Sequence, residues 1–346
     1  MVPVTQTDQP VRETLATELA EVEDRFAAEL TSDLSCVNAL VRHVERYRGK
    51  MLRPLLVLAS GLASSLMRPE SGNSGHLTDG HRTVATVVEM VHMATLVHDD
   101  ILDEAEIRRQ GATINHLKGN EAAVMLGDYL ISHAYHLCSS MDDQAIARIL
   151  AETTNTVCEG ELLQLANRNN WQLDEATYLQ IIRRKTASLC GTCCQLAAML
   201  SGVRPQCADA LYQYGESVGI AFQIVDDVLD LTGDPQTVGK TLGSDLYKGK
   251  PTLPVIHYLA NAAPQQNDQL LEWLSSLLSG QGQAGTDQDR MAHVRECLVN
   301  SDSMRYASEQ ASHLIQRAKA SLDELHDSPA RSFLVEIADA VLTRKF

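Results

Sequence analysis

Two short clusters of aspartates in this sequence have a spacing that suits metal-assisted chemistry. The clusters are Asp99, Asp100 and Asp103, and Asp226, Asp227 and Asp230. Residues four apart on a helix lie one above the other, so Asp99 and Asp103 share a face. Because like charges at this spacing destabilise a helix, a cation between the carboxylates would relieve the repulsion.

The flanks of both clusters are apolar. The first ends an apolar stretch over 84–102, and the second follows Ile220, Ala221 and Phe222. Carboxylates that interrupt core-like helices are expected to face an internal polar cavity. Oxygen-only ligands suit Mg²⁺, which commonly joins protein carboxylates to substrate phosphates. The clusters therefore predict Mg²⁺ and a phosphate-bearing substrate.

Basic residues before and after the two clusters complement their charge. Lys50 and Arg53 lie at a predicted helix start, where backbone N–H groups also favour anions. His92 lies seven residues before Asp99 on the same helical stripe. The remaining candidates are Arg108, Arg109, Lys185, Lys240 and Lys250. Together these residues predict two anion sites, one reached through metal and one through Lys and Arg directly.

Composition favours helices as the elements that position these residues. The chain has 346 residues, of which 44% are hydrophobic and only 4% aromatic, and Ala and Leu are abundant. No alternating strand pattern, P-loop or fixed repeat is visible. We expect an all-α fold: a single-domain bundle of about ten or more helices around a central active-site cavity, with residues 1–10 disordered.

Net charge and the absence of targeting signals limit the partners and the location that the sequence predicts. A net charge of −16 argues against a nucleic-acid partner, which would demand a basic patch. The first residues lack the features of a signal peptide, and no run is apolar enough to predict a membrane span. Eight scattered cysteines favour a reducing compartment, so we expect a cytoplasmic protein.

At this point the sequence resembles a family, the trans-type isoprenyl (polyprenyl) diphosphate synthases. The matching segments follow the family order from about residue 40 onwards. They are GKMLRP at 49–54, HDDILDEAEIRR at 98–109, GNEAAVMLGDYL at 119–130, EGELLQL at 159–165, KTASL at 185–189, AFQIVDDVLDLTGD at 221–234 and GKTLGSDLYKGKPTLP at 239–254. The resemblance implies the isoprenoid synthase fold, a homodimer and three Mg²⁺ ions per site.

The resemblance also implies a role for each candidate residue. Asp99, Asp103 and Asp226 would bind Mg²⁺, and Asp100, Asp227 and Asp230 would complete or orient the metal cluster. The allylic diphosphate would be bound by Arg108, Lys185 and Lys240, with Lys250 as a further substrate-binding candidate. Isopentenyl diphosphate would be bound by Lys50, Arg53, His92 and Arg109. Thr186 and Gln223 would stabilise the allylic cation.

The implied reaction is all-trans elongation of an allylic prenyl diphosphate by isopentenyl diphosphate. Ala94 and Thr95, just before the first cluster, are small where short-chain relatives often carry an aromatic residue. This favours the medium- or long-chain branch and a product longer than farnesyl diphosphate. A short-chain farnesyl or geranylgeranyl synthase remains the alternative, followed by a terpene cyclase or a non-catalytic subunit of a heteromeric synthase.

Overall fold

A computed structural model gives the fold of the protein. It describes residues 9–45, 49, 51–67, 76–108, 111–233, 242–278 and 284–344. The only sheet in these ranges is an antiparallel hairpin of β1 (Ile107–Arg108) and β2 (Gly111–Ala112), which pairs Ile107 with Ala112. All other regular elements are helices, which confirms the predicted all-α class.

Helices account for most of the described residues. In chain order they are α1 (Gln9–Glu29), α2 (Ser35–Val44), α3 (Leu52–Ser65), α4 (Asp79–Leu102), α5 (Ile114–Lys118), α6 (Asn120–Ser139), α7 (Gln144–Ala166), α8 (Glu175–Ile182), a π-helical turn (Arg183–Ala187), α9 (Ser188–Leu200), α10 (Pro205–Thr232), α11 (Ser244–Tyr247), α12 (Leu253–Asn261), α13 (Pro264–Leu278), α14 (Ala284–Val299), α15 (Ser303–Ser321), a 3₁₀ turn (Leu322–Glu324) and α16 (Pro329–Leu342).

The predicted disorder of residues 1–10 is wrong for Gln9 and Pro10, which begin α1. Proline is favoured in a first helical turn because its missing N–H would be unpaired there. Residues 1–8 lie outside the described ranges.

The chain divides into two compact units. Unit 1 comprises Met1–Asn155, Leu189–Glu216 and Lys319–Ile337, and unit 2 comprises Thr156–Ser188, Ser217–Ala318 and Ala338–Phe346. The first aspartate cluster belongs to unit 1 and the second to unit 2. The expectation of one single domain remains a prediction.

Helix α4 is the central helix of unit 1. Its start is stabilised where the backbone N–H of Thr78 donates to Nδ1 of His81 at 3.1 Å. Side chains such as Val88, Met90 and Met93 are fully buried, as α4 packs on α1, α3 and α6. Each such side chain contributes about 1.5–3 kcal/mol. This burial holds the aspartates of the last turn of α4 in place.

Unit 2 has its own apolar core, built from the C-terminal part of α10 and from α11 to α14. Leu231 follows the second aspartate cluster directly and packs there with residues such as Val255, Leu270 and Val294. Both clusters therefore lie near the C-terminal end of a buried helix. The negative end of the helix dipole disfavours carboxylates there, and a bound cation would offset this unfavourable electrostatic interaction.

Candidate active site

Asp99 and Asp103 lie on one face at the end of α4. Both are half-buried, and the backbone N–H of Asp103 donates to the carbonyl of Asp99 at 2.9 Å, which closes the last turn. Two half-buried carboxylates thus lie one helical turn apart, and the cation site that their spacing suggests remains a prediction.

Asp100 makes a different contact. It is 1% exposed, and its Oδ1 accepts from Nε of Arg108 at 2.8 Å and lies 2.7 Å from Nη2 of the same guanidinium. The β1–β2 hairpin places Arg108 for this contact. Such a paired, charge-assisted contact is strong and directional. Asp100 therefore positions Arg108, one of the predicted diphosphate ligands.

The predicted site residues upstream on α4 differ in how deeply they are buried. Thr95 is half-buried on the Asp99 stripe, and its hydroxyl donates to the carbonyl of His92 at 2.7 Å. His92 is likewise half-buried, whereas Ala94 is fully buried in the core. Arg53 is half-buried in the first turn of α3, as predicted for the helix start.

In the second cluster, Asp227 is buried and fully engaged by neutral donors. It is 4% exposed. The hydroxyl of Tyr178 donates to its Oδ2 at 2.7 Å, and Nε2 of Gln223 donates to its Oδ1 at 2.9 Å. Burial, together with the neighbouring carboxylate of Asp245, raises the pKa of Asp227 well above its ordinary value.

Asp230 and Asp226 have separate environments. Asp230 accepts the backbone N–H groups of Ser244 and Asp245, each at 3.2 Å. Burial and the charge of Asp245 raise the pKa of Asp230 to about 6. Asp226 instead pairs with Arg344, whose Nη1 lies 2.7 Å from its Oδ1. A guanidinium therefore contacts Asp226, and the role of this carboxylate as a metal ligand remains a prediction.

The π-helical turn between α8 and α9 carries Lys185 and Thr186. π-turns inside helices occur frequently at functional sites because they shift side chains out of the regular α-helical positions. Nζ of Lys185 donates to Gln164 Oε1 at 3.0 Å and pairs with Glu161, both on α7. Oγ1 of Thr186 donates to Oε1 of Gln223 at 3.1 Å.

A cavity of about 100 Å³ in unit 2 brings several of these side chains together. Lys185, Thr186, Gln223, Asp227 and Lys250 all line it. Lys250 is held through its backbone N–H, which donates to the carbonyl of Asp245 at 2.8 Å. Five predicted site residues, separated by up to 65 positions, thus line one cavity.

Sequence reasoning missed several residues of this site. Tyr178, Asp245, Glu161 and Gln164 contact the predicted residues directly. The signal for the last two was present, because Glu161 and Gln164 are three apart and share a helix face. Conversely, Lys50, Arg109 and Lys240 were predicted as ligands but lie outside the described residues.

The carboxylates fit Mg²⁺ by the chemistry of their donors. Among the residues that the structure describes, no three His, Cys, Asp or Glu side chains could hold one ion. Mg²⁺ is typically bound by one or two carboxylates, with water and substrate phosphate as the other ligands, rather than by an all-protein cage. The pair Asp99 and Asp103 offers the one or two carboxylates that such a site needs, and their binding of Mg²⁺ remains a prediction.

Among all-α proteins, a helical fold with two such clusters is typical of the isoprenoid synthases. Residues 35–285 match the polyprenyl synthetase family, and the chain therefore belongs to that family. This confirms the family predicted from the motifs and the class of enzyme, a prenyltransferase.

Named relatives and a solved structure cover nearly the whole chain. Octaprenyl diphosphate synthase from Escherichia coli (strain K12) is 31% identical over 97% of this chain and 98% of its own. Heptaprenyl diphosphate synthase component 2 from Bacillus subtilis (strain 168) is 32% identical over 94% of this chain and 87% of its own. These long-chain names confirm the predicted branch.

The solved structure is that of a polyprenyl synthase from Caulobacter crescentus CB15 in complex with calcium and isoprenyl diphosphate. It matches with a TM-score of 0.87 and 30% identity, over 99% of this chain and 100% of the other. Within the described ranges, no helix of this chain is long and apolar enough to cross a membrane.

Proposed function

We propose that this chain condenses isopentenyl diphosphate with an allylic prenyl diphosphate and releases all-trans products longer than farnesyl diphosphate. The observation that carries the proposal is the cavity of unit 2, where Lys185, Thr186 and Gln223 meet beside Asp227. A cationic donor next to neutral oxygen groups suits a substrate that loses a diphosphate and becomes an allylic cation.

The metal ions belong to Asp99, Asp103 and Asp226 in this proposal, with three Mg²⁺ per site as in the implied family arrangement. Mg²⁺, when bound, neutralises the diphosphate and makes it a better leaving group. The Caulobacter crescentus protein, by its description, binds calcium and isoprenyl diphosphate, which supports a divalent cation beside a prenyl diphosphate. Asp100, Asp227 and Asp230 accept protein donors, and in this proposal each of them orients the groups of its own cluster.

Each of the two substrates is bound by its own group of basic residues in this proposal. Arg108, Lys185, Lys240 and Lys250 bind the allylic diphosphate, and Lys50, Arg53, His92 and Arg109 bind isopentenyl diphosphate. The double bond of isopentenyl diphosphate attacks the allylic cation, and the proton that it then loses passes to the released pyrophosphate. Apolar walls exclude water, which would otherwise capture the cation.

The proposal also covers the oligomeric state of the protein and its location in the cell. We propose a homodimer, as the family resemblance implies. The Bacillus subtilis relative is named as component 2 of its synthase, which supports testing a heteromeric alternative. All eight cysteines are free thiols, which supports a cytoplasmic location. Sedimentation of the purified chain with and without substrate would distinguish a stable homodimer from a subunit that awaits a partner.

The experiment that tests the function is direct. The purified chain is incubated with farnesyl diphosphate, labelled isopentenyl diphosphate and Mg²⁺, and the products are sized. We expect labelled chains longer than farnesyl, and loss of labelling with EDTA or with Asp99→Asn. Products no longer than farnesyl would refute the long-chain assignment. Ionisation of the allylic substrate without uptake of isopentenyl diphosphate would favour a cyclase.

A further inference from the structure

Both carboxylate oxygens of Asp227 accept hydrogen bonds from uncharged side chains. Tyr178 donates to Oδ2 and Gln223 donates to Oδ1. Tyr178 lies on α8, whose start is capped by Asp174 accepting the N–H of Thr177 at 2.7 Å. Its ring is 3% exposed and lines the same cavity. The carboxylate is thus held between two helices, α8 and α10.

This arrangement defines which way the amide of Gln223 faces. The NH₂ group of Gln223 is directed towards Asp227, where Nε2 donates to Oδ1 at 2.9 Å. Its carbonyl Oε1 then faces the opposite way, where Thr186 donates to it at 3.1 Å. The negative end of the amide dipole is therefore presented beside Thr186, on the cavity lining. If the amide turned over, an N–H donor would face that position instead.

We propose that Tyr178 is a positioning residue, which with Asp227 holds the Gln223 carbonyl towards the developing allylic cation. Asp227 then acts through Gln223 rather than by binding Mg²⁺. This inference rests on the proposed function, because only a reaction with a cationic intermediate benefits from a fixed carbonyl dipole there. Dipoles oriented in advance stabilise a transition state without a cost of reorganisation.

The kinetic consequence is specific. The Tyr178 hydroxyl touches neither diphosphate in this scheme, so its loss leaves the affinity for both substrates unchanged. The step that forms the cation becomes slower, because the Gln223 amide is no longer held in one orientation. We expect a loss of about 10- to 100-fold in rate, by analogy with the partners that orient metal ligands.

The test compares Tyr178→Phe with Tyr306→Phe. Tyr306 offers a matched control because its hydroxyl also donates to a carboxylate, that of Glu175 on α8, at 2.9 and 3.0 Å. Tyr306 is not among the residues that line the cavity. We expect Tyr178→Phe to lower kcat at least tenfold and to change either KM less than twofold, with Tyr306→Phe unaffected. A wild-type rate in Tyr178→Phe, or an effect on KM alone, would overturn the inference. An inactive parent protein would instead refute the proposed function.

A second variant decides the role of Asp227, even if Tyr178→Phe does not fold. An asparagine at this position can pair with either end of the Gln223 amide, so Asp227→Asn removes the preferred orientation. We expect a fall in kcat with an unchanged Mg²⁺ concentration for half-maximal rate, whereas Asp226→Asn should raise that concentration at least tenfold. A comparable rise in Asp227→Asn would show that Asp227 binds metal and would overturn the inference.

Discussion

Asp226 and Asp227 are adjacent in the chain, yet they make opposite kinds of contact. Successive residues on a helix point in different directions, so one carboxylate meets a guanidinium and the other meets neutral donors. The guanidinium of Arg344 also lies over the ring of Phe222, 4.0 Å from its centroid. Cation–π contact and ion pairing together hold this residue against the predicted metal ligand.

The contact between Arg344 and Asp226 predicts competition with metal. Replacement by Gln (Arg344→Gln) removes the charge that now faces Asp226, so a divalent ion no longer has to displace it. We expect the Kd for Mn²⁺, measured by calorimetry without substrate, to fall about two- to fivefold, the size expected of one partly exposed ion pair. Arg331→Gln, which removes a surface guanidinium paired with Asp323 and Asp327, is the control. Equal affinities in all three proteins would contradict the prediction.

At the scale of elements, the π-helical turn is the feature that local sequence did not predict. Helix α8, the π-helical turn and α9 follow one another without a gap from Glu175 to Leu200. The turn Arg183–Ala187 contains neither Gly nor Pro, so no local breaker marks it. Gly160 on α7 allows the turn to approach, because a Cβ there would lie 2.4 Å from the backbone nitrogen of Lys185.

Gly160→Ala should therefore disturb both stability and activity. The added methyl would clash with the backbone, and overpacking of this kind costs about 1–3 kcal/mol. We expect a lower urea midpoint and a reduced kcat/KM, because Lys185 and Thr186 move with the turn. The control for stability is Gly111→Ala, where the nearest contact of the new Cβ is 3.6 Å away. A Gly160→Ala protein as stable and active as its parent would disprove the close approach.

For the whole molecule, a buried histidine links stability to pH. His81 is fully buried in unit 1, where its Nε2 lies 3.1 Å from both the carbonyl of Ala197 and the hydroxyl of Ser201. Burial lowers the pKa of His81 to about 4. The unfolded chain, with the ordinary value of about 6.5, therefore binds a proton in this window that the folded protein does not.

The folded protein should accordingly lose stability as the pH falls from about 6.5 to 4. The contribution of His81 is complete above the unfolded pKa and decreases by about 3 kcal/mol across the window. Urea unfolding at several pH values measures this slope, and His81→Gln should make it shallower. His136→Gln, at an exposed position on α6, should leave it unchanged. Equal slopes in the parent and His81→Gln would exclude the buried ring as the cause.

The features that the sequence determined by itself are those that depend on local spacing. Aspartates four apart share a helix face wherever the helix lies, and the Ala- and Leu-rich composition predicts helices without reference to packing. The family motifs are contiguous segments, so they too were readable from the chain alone. The all-α fold, the prenyltransferase class and the long-chain branch follow from these features.

The tertiary structure decided how the six aspartates differ. Tyr178 lies 49 residues from Asp227, and Arg344 lies 118 residues from Asp226. Such partners meet only when distant helices pack, and no spacing rule encodes that packing. The same holds for the π-turn that carries Lys185, whose approach to α7 depends on Gly160. Local periodicity could identify the carboxylates, but only long-range packing could assign each one its donor.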